Sequence, residues 1–179
     1  MAFIRGIEKR RKDLIDQGYH TPEELIDFAK KNNCSVDPID VVKLTDLLGI
    51  VIRYEPMDGD DSGSLSCGKK SGKWIMKVNS LHHFNRQRFT IAHELAHFIC
   101  HRHLNDFFSD TVFFRNGEQN RLEVEANQFA ARLLMPEKYF RRYIKESSNV
   151  VSDISEHFGV SSMAVRIRAK QLNYSGHNV

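Results

Sequence analysis

Apolar positions along the chain follow two rhythms, and the change between them divides the sequence. Residues 2–17 alternate apolar and basic positions at helical spacing, with Phe3, Ile4, Ile7, Leu14 and Ile15 on one face. Thr21-Pro22-Glu23-Glu24 has the form of a helix start: Thr21 as cap, Pro22 at the first position and Glu24 closing a capping box. That helix is expected to reach about Lys31. Asp37-Pro38 predicts a second start, carrying Val41, Val42, Leu44, Leu47 and Leu48 to a stop at Gly49. The period then shortens to two. Ile50–Tyr54, Ser64–Cys67 and Trp74–Val78 are rich in β-branched and aromatic residues and read as strands. They are separated by a turn-rich loop, Met57–Gly63, and by Gly68–Gly72. From Asn79 onward the helical period returns. It predicts one long helix over 81–103, a loop over 104–117, helices over 118–134 and 137–146, and two short helices around Gly159 within 150–172. The order helices, strands, helices predicts an α+β fold, mostly helical, with a small, largely antiparallel sheet of three strands.

Composition narrows the class. With 179 residues, 41% hydrophobic and 27% charged, the chain suits one soluble domain that needs no covalent staples. A net charge of +3 is compatible with touching nucleic acid but is not the dense one-signed patch that would argue for it. Cys34, Cys67 and Cys100 form no C-x-x-C pair, so they read as reduced thiols. No apolar run is long enough for a signal-peptide core or a membrane span, and the expected location is the cytoplasm.

The chemistry gathers at His93-Glu94-Leu95-Ala96-His97, which matches H-E-x-x-H. Residues four apart on a helix point the same way, so two imidazoles so spaced can reach one zinc ion. Glu94 points to a neighbouring sector, where it reaches a water rather than the metal. From the histidine and glutamate content, ~0.03 such matches arise by chance in a chain of this length, so context has to decide. The context is an apolar helix with Phe84, Ile91, Leu95, Phe98 and Ile99, where two histidines and a glutamate are costly to bury without partners. The competing reading is a pair of hydrogen-bonded core histidines. A catalytic zinc needs a third protein ligand, and Glu123-Val124-Glu125-Ala126-Asn127 offers two. Both acids flank the stripe of Leu122, Ala126, Phe129 and Leu133, and periodicity does not choose between them. His101 continues the histidine ladder and reads as a ligand, a wall of the site or a surface residue. Cys67 and Cys100 are weighed as inhibitory zinc caps or small buried hydrophobes. Arg86 and Arg88 are either anchors onto acidic groups such as Asp58, Asp60 or Asp61 or a solvated basic face.

Arg88–His97 and Glu123–Pro136, read together, closely resemble the two signatures of the ImmA/IrrE family of metallopeptidases. Ser62–Leu65 and the strand up to Asn79 are similar to that family too. The resemblance spans about residues 37–145. It implies a zincin-like metallopeptidase domain over 1–149, made of N-terminal helices 1–48, a small sheet 50–78 and active-site helices 81–146. It further implies His93, His97 and Glu125 as metal ligands, Glu94 as the catalytic base, and zinc ahead of manganese as the cofactor. Members known as proteases cut helix-turn-helix transcriptional repressors, so such a repressor is the implied protein substrate. The alternatives are a non-catalytic zinc-containing regulator and a toxin–antitoxin-type partner. His101, His103, Tyr139 and Tyr143 are the candidates for a second oxyanion donor. The remaining stretch, 150–179, reads as a helix-turn-helix-like unit, with Gly159 in the turn and Ser161 as cap. It either packs on the same domain and docks substrate, or touches DNA through Arg166, Arg168 and Lys170.

Overall fold

The computed structural model describes residues 18–68, 71–109 and 117–174. The helix expected over 2–17 lies outside these residues, as do Phe113 and Phe114. Helix α1 (Pro22–Lys31) opens with the expected capping box: the Thr21 hydroxyl accepts from the Glu24 amide, and the Glu24 carboxylate accepts from the Thr21 amide. Helix α2 (Val41–Leu47) starts later than Asp37-Pro38 suggested. Its cap is Asp40, whose Oδ1 accepts from the Lys43 amide at 2.9 Å. Asp37 turns elsewhere and pairs with Arg142 and with His157 Nε2.

The sheet corrects the expectation of three largely antiparallel strands. It has four strands, β1 (Val51–Glu55), β2 (Gly63–Cys67), β3 (Trp74–Asn79) and β4 (Phe107–Ser109), in the order β1-β3-β2-β4. β2 is antiparallel to both β3 and β4, but β1 runs parallel to β3, with Val51 opposite Ile75 and Glu55 opposite Asn79. Loop 56–62 makes this possible by passing the end of β3 and delivering β2 to its far side. Asn79, 1% exposed, pins that loop: its Nδ2 donates to the Asp61 carbonyl at 2.8 Å and the Met57 carbonyl at 3.2 Å. β4 falls inside the stretch expected to be loop. Its alternation is short but regular, Phe107 facing out and Phe108 fully buried, and three residues are too few to signal a strand by period alone.

Helix α3 (Phe84–Ala96) is buried along its whole second half, Thr90–Ala96, between the sheet and helix α4 (Gly117–Leu134). The single long helix expected over 81–103 runs without a break from 84 to 101, but its last part changes type. After Ala96 the chain widens into a π-helical turn, His97–His101, and stops. Arg102 closes it, its Nη1 donating to the Phe98 and Ile99 carbonyls at 2.8 and 2.9 Å.

β2 lies very close to α3. A Cβ on Gly63 would stand 2.5 Å from Thr90 Cγ2 and 2.8 Å from the Lys77 carbonyl oxygen, where the second atom is backbone and cannot yield. We expect Gly63→Ala to lower stability by about 1–3 kcal/mol, as overpacking does, with a fall of several degrees in the thermal midpoint. An unchanged midpoint would show that strand and helix can part freely.

The C-terminal helices α5 (Glu137–Glu146), α6 (Val151–Phe158) and α7 (Ser162–Gln171) complete the described chain. Gly159 sits at φ +61° in the α6–α7 turn, and the Ser161 hydroxyl caps α7 by accepting from the Ala164 amide. The pair is thus two short helices joined by a turn, and the three basic residues named for DNA contact are placed differently. Arg168 is only 6% exposed and donates from Nε to the Met135 carbonyl at 2.9 Å, so it faces the core. Arg166 and Lys170 are exposed. Arg88 ties the pair down from α3, donating to the carbonyls of Ile39 (3.0 Å), Phe158 (3.3 Å) and Gly159 (3.3 Å). Among the described residues, neither Arg88 nor Arg86 anchors onto a carboxylate: Arg86 donates to the Ser62 hydroxyl and the Asp60 carbonyl. Among the described residues, no helix is long and apolar enough to cross a membrane.

Candidate metal centre

α3 puts His93 at its buried end, and His97 opens the π-helical turn one helical turn later. Their Nε2 atoms face each other at 3.0 Å. Both residues are buried, at 7% and 1% exposure. α4 crosses them and delivers a carboxylate: Glu123 Oε2 lies 3.2 Å from His93 Nε2, and Glu123 Oε1 lies 3.2 Å from His97 Nε2. One ligand atom from each of the three residues fits within a 4.8 Å span.

The carboxylate is not the one expected. Glu125 stands away from the pair, 58% exposed, with Oε2 3.2 Å from His101 Nε2. The reason is helical phase. Two residues apart on an α-helix point about 160° apart, so Glu123 and Glu125 leave opposite flanks of the α4 stripe. The Glu123 flank also carries Asn127 one turn later, and Asn127 Oδ1 lies 3.1 Å from His93 Nδ1. An acid followed four residues later by an amide was the signal in the sequence: one side chain for the centre, the next for the back of the histidine. Family likeness pointed at the acid nearest Ala126, and geometry points at the other.

Hydrogen bonds fix which ring nitrogens face the centre. Asn127 Oδ1 can only accept, so His93 carries its proton on Nδ1 and turns a lone pair on Nε2 towards Glu123 and His97. His97 Nδ1 lies 3.0 Å from His101 Nδ1, and its ring stacks on Phe108 with centroids 4.9 Å apart and planes at 23°. β4, unforeseen from the sequence, thus supplies a wall against the second imidazole.

The charge states suit a metal. Burial opposes ionisation of Glu123; Nε2–H groups on His93 and His97 would outweigh it and hold the carboxyl at about 2, and with the lone pairs turned inward a cation takes the place of those protons. Burial also pushes the His97 imidazole below its ordinary value, against the pull of Glu123. A charged carboxylate and neutral imidazoles are the forms that bind cations. Glu123 Oε1 is buried and makes no hydrogen bond of good geometry, despite its closeness to His97. Two lone pairs 3.0 Å apart repel one another and are relieved by a cation. The donor set therefore fits a metal ion. Nitrogen, nitrogen and carboxylate oxygen suit zinc.

Glu94, on the same helix, is 1% exposed, with Oε1 3.5 Å from where a Cβ on Gly63 would be. The other candidates sit elsewhere. His103 is exposed. Tyr143 donates its hydroxyl to the Asp153 carbonyl and stacks on His157, within the α5–α6 packing. Tyr139 is buried at 8% exposure under Arg142. Cys100 is part of the π-helical turn, with Sγ 3.8 Å from the His20 carbonyl, and burial followed by the charge of Glu125 pushes its thiol up to about 11. Cys67 ends β2, paired with Trp74. Neither cysteine joins the cluster.

Comparison with known proteins bears on the family and the fold. The chain is 27% identical over 135 residues to Metallopeptidase ImmA of Bacillus subtilis (strain 168), covering 74% of this chain and 76% of that protein. Among solved structures, a Mycobacterium tuberculosis transcriptional regulator superposes with a TM-score of 0.60 at 16% identity. That likeness covers 97% of this chain but only 54% of the regulator, so the chain spans about half of its length and shares its fold. The family model described as the IrrE N-terminal-like domain, Peptidase_M78, matches residues 45–170, a span that holds the whole sheet, the histidine pair, Glu123 and most of the C-terminal helices. The chain belongs to this ImmA/IrrE family of peptidases.

Proposed function

We propose that the protein is a zinc-dependent endopeptidase that cleaves a helix-turn-helix transcriptional repressor or a similar regulatory protein. The observation that carries this reading is the buried meeting of His93, His97 and Glu123 with Glu94 on the same helix. His93, His97 and Glu123 are the residues that would hold the ion. Zinc, when bound, supplies electrophilic activation of a water and of the scissile carbonyl. Glu94 takes a proton from that water onto its carboxylate as the oxygen attacks, then gives it to the departing amine nitrogen, which leaves the carboxylate as it began. Asn127 holds the His93 ring in position throughout. Beside Asn127 runs a groove of about 680 Å³ whose apolar walls include Phe89, Val124, Met163 and Ile167, a surface suited to apolar side chains of a polypeptide. α7 forms one wall of it, which favours substrate docking over DNA contact as the role of the C-terminal helices.

The test is to load the purified chain with zinc and incubate it with helix-turn-helix repressors encoded beside its gene, following the fragments by mass spectrometry. One zinc per chain with cleavage at a defined bond is the expected result. Stoichiometric zinc with intact repressor, bound tightly by the protein, would favour a non-catalytic regulator. Folded protein that takes up no metal would overturn the reading.

A further inference from the structure

His101 is 2% exposed and sits in a line of polar contacts that the reaction above does not use. Glu125 Oε2 lies 3.2 Å from His101 Nε2, and His101 Nδ1 lies 3.0 Å from His97 Nδ1. The line has one consistent reading with neutral rings. A carboxylate only accepts, so His101 carries its proton on Nε2 and offers a lone pair on Nδ1. That lone pair accepts from His97 Nδ1–H. His97 is then left with a lone pair on Nε2, the nitrogen facing Glu123 and His93. The π-helical turn makes the line possible, since it packs both rings side by side with centroids 5.1 Å apart.

We propose that Glu125 and His101 form a hydrogen-bonded relay that holds His97 in the Nδ1–H tautomer and so presents its Nε2 to the metal centre. This rests on the metal-centre reading above. It makes His101 a positioning residue, neither a ligand nor a surface group. It also gives Glu125 a different task from Glu123: one acid faces the centre and the other sets a proton two rings away. Asn127 does for His93 in one step what Glu125 and His101 do for His97 in two.

The experiment measures zinc affinity by chelator competition for the wild type, His101→Leu, His101→Gln and Glu125→Ala. Long-range proton–nitrogen NMR of the zinc-free proteins reads the His97 tautomer directly. His101→Leu keeps the bulk and removes both polar atoms, and we expect affinity to fall about 10–100-fold, as loss of a partner behind a ligand does. His101→Gln keeps a donor for Glu125 and an acceptor for His97, and should recover most of that loss. Glu125→Ala removes an exposed acceptor that water partly replaces, so its loss should be smaller, up to about tenfold, with no change in folding. The wild type should show the proton on His97 Nδ1, and His101→Leu should show it redistributed to Nε2. Equal affinity in all four proteins, or a wild-type His97 protonated on Nε2, would overturn the relay. A wild type that binds no zinc would instead overturn the metal-centre reading, while the tautomer in the zinc-free protein still decides the relay.

Discussion

Glu123→Ala is expected to purify without metal, whereas Glu125→Ala retains it. The difference follows from where the two carboxylates point. Glu123 brings both oxygens to 3.2 Å from the imidazole nitrogens, and Glu125 reaches only His101. A structural zinc site of four ligands is worth about 10–16 kcal/mol, so one ligand's share is about 3 kcal/mol, or about a hundredfold in affinity. The true loss is set by how well water replaces the carboxylate, and a site this buried replaces it poorly. Plasma-emission metal analysis after gel filtration reads the result. Equal metal content in the two variants would show that the centre does not use Glu123, and metal lost from Glu125→Ala alone would reverse the assignment.

Glu94→Gln is expected to keep its zinc and lose its cleavage. The amide matches the carboxylate in size but cannot take a proton at neutral pH, so the loss should be in turnover, by about 10²–10⁴-fold. Because Glu94 is 1% exposed, the new amide hydrogens also need acceptors, and a missing one would cost about 1–3 kcal/mol of stability. Metal content, a thermal melt and a cleavage time course on the same preparation separate these effects. Wild-type turnover in this variant would mean that another group carries the proton.

Much of the architecture was legible because it is written in local rules. The Thr21 capping box, the Gly159 turn and the Ser161 cap each depend on neighbours within a few positions, and each stands where those rules put it. The histidine pair was legible for the same reason: four residues apart on a helix fixes direction. What escaped the sequence depends on contacts between distant segments. Parallel pairing of β1 with β3 arises from the path of loop 56–62 around Asn79. β4 is too short to show a period and owes its place to Phe108, packed under His97. The π-helical turn has no residue that announces it, and it forms where Arg102 captures the last carbonyls. Choosing between Glu123 and Glu125 needed the crossing of α3 and α4, since both acids border the same apolar stripe.

The grip on the C-terminal helices has a bearing on how such a protein can change over time. Arg88 and Asn85 hold the α6–α7 turn only by carbonyl oxygens, those of Phe158, Gly159 and Val160. Every amino acid supplies a carbonyl, so the attachment is blind to most side chains of the segment it holds. It demands a glycine at 159, where a Cβ would meet Arg88 Nε at 2.7 Å on a backbone already at φ +61°; the rest of the hold lies in buried side chains of the segment, Phe158, Val160, Val165 and Arg168. The outward face of α7, with Met163 and Ile167 bordering the groove, is therefore free to be rewritten without loosening the segment. A lineage could retune what the groove accepts while the buried chemistry beneath it stays the same.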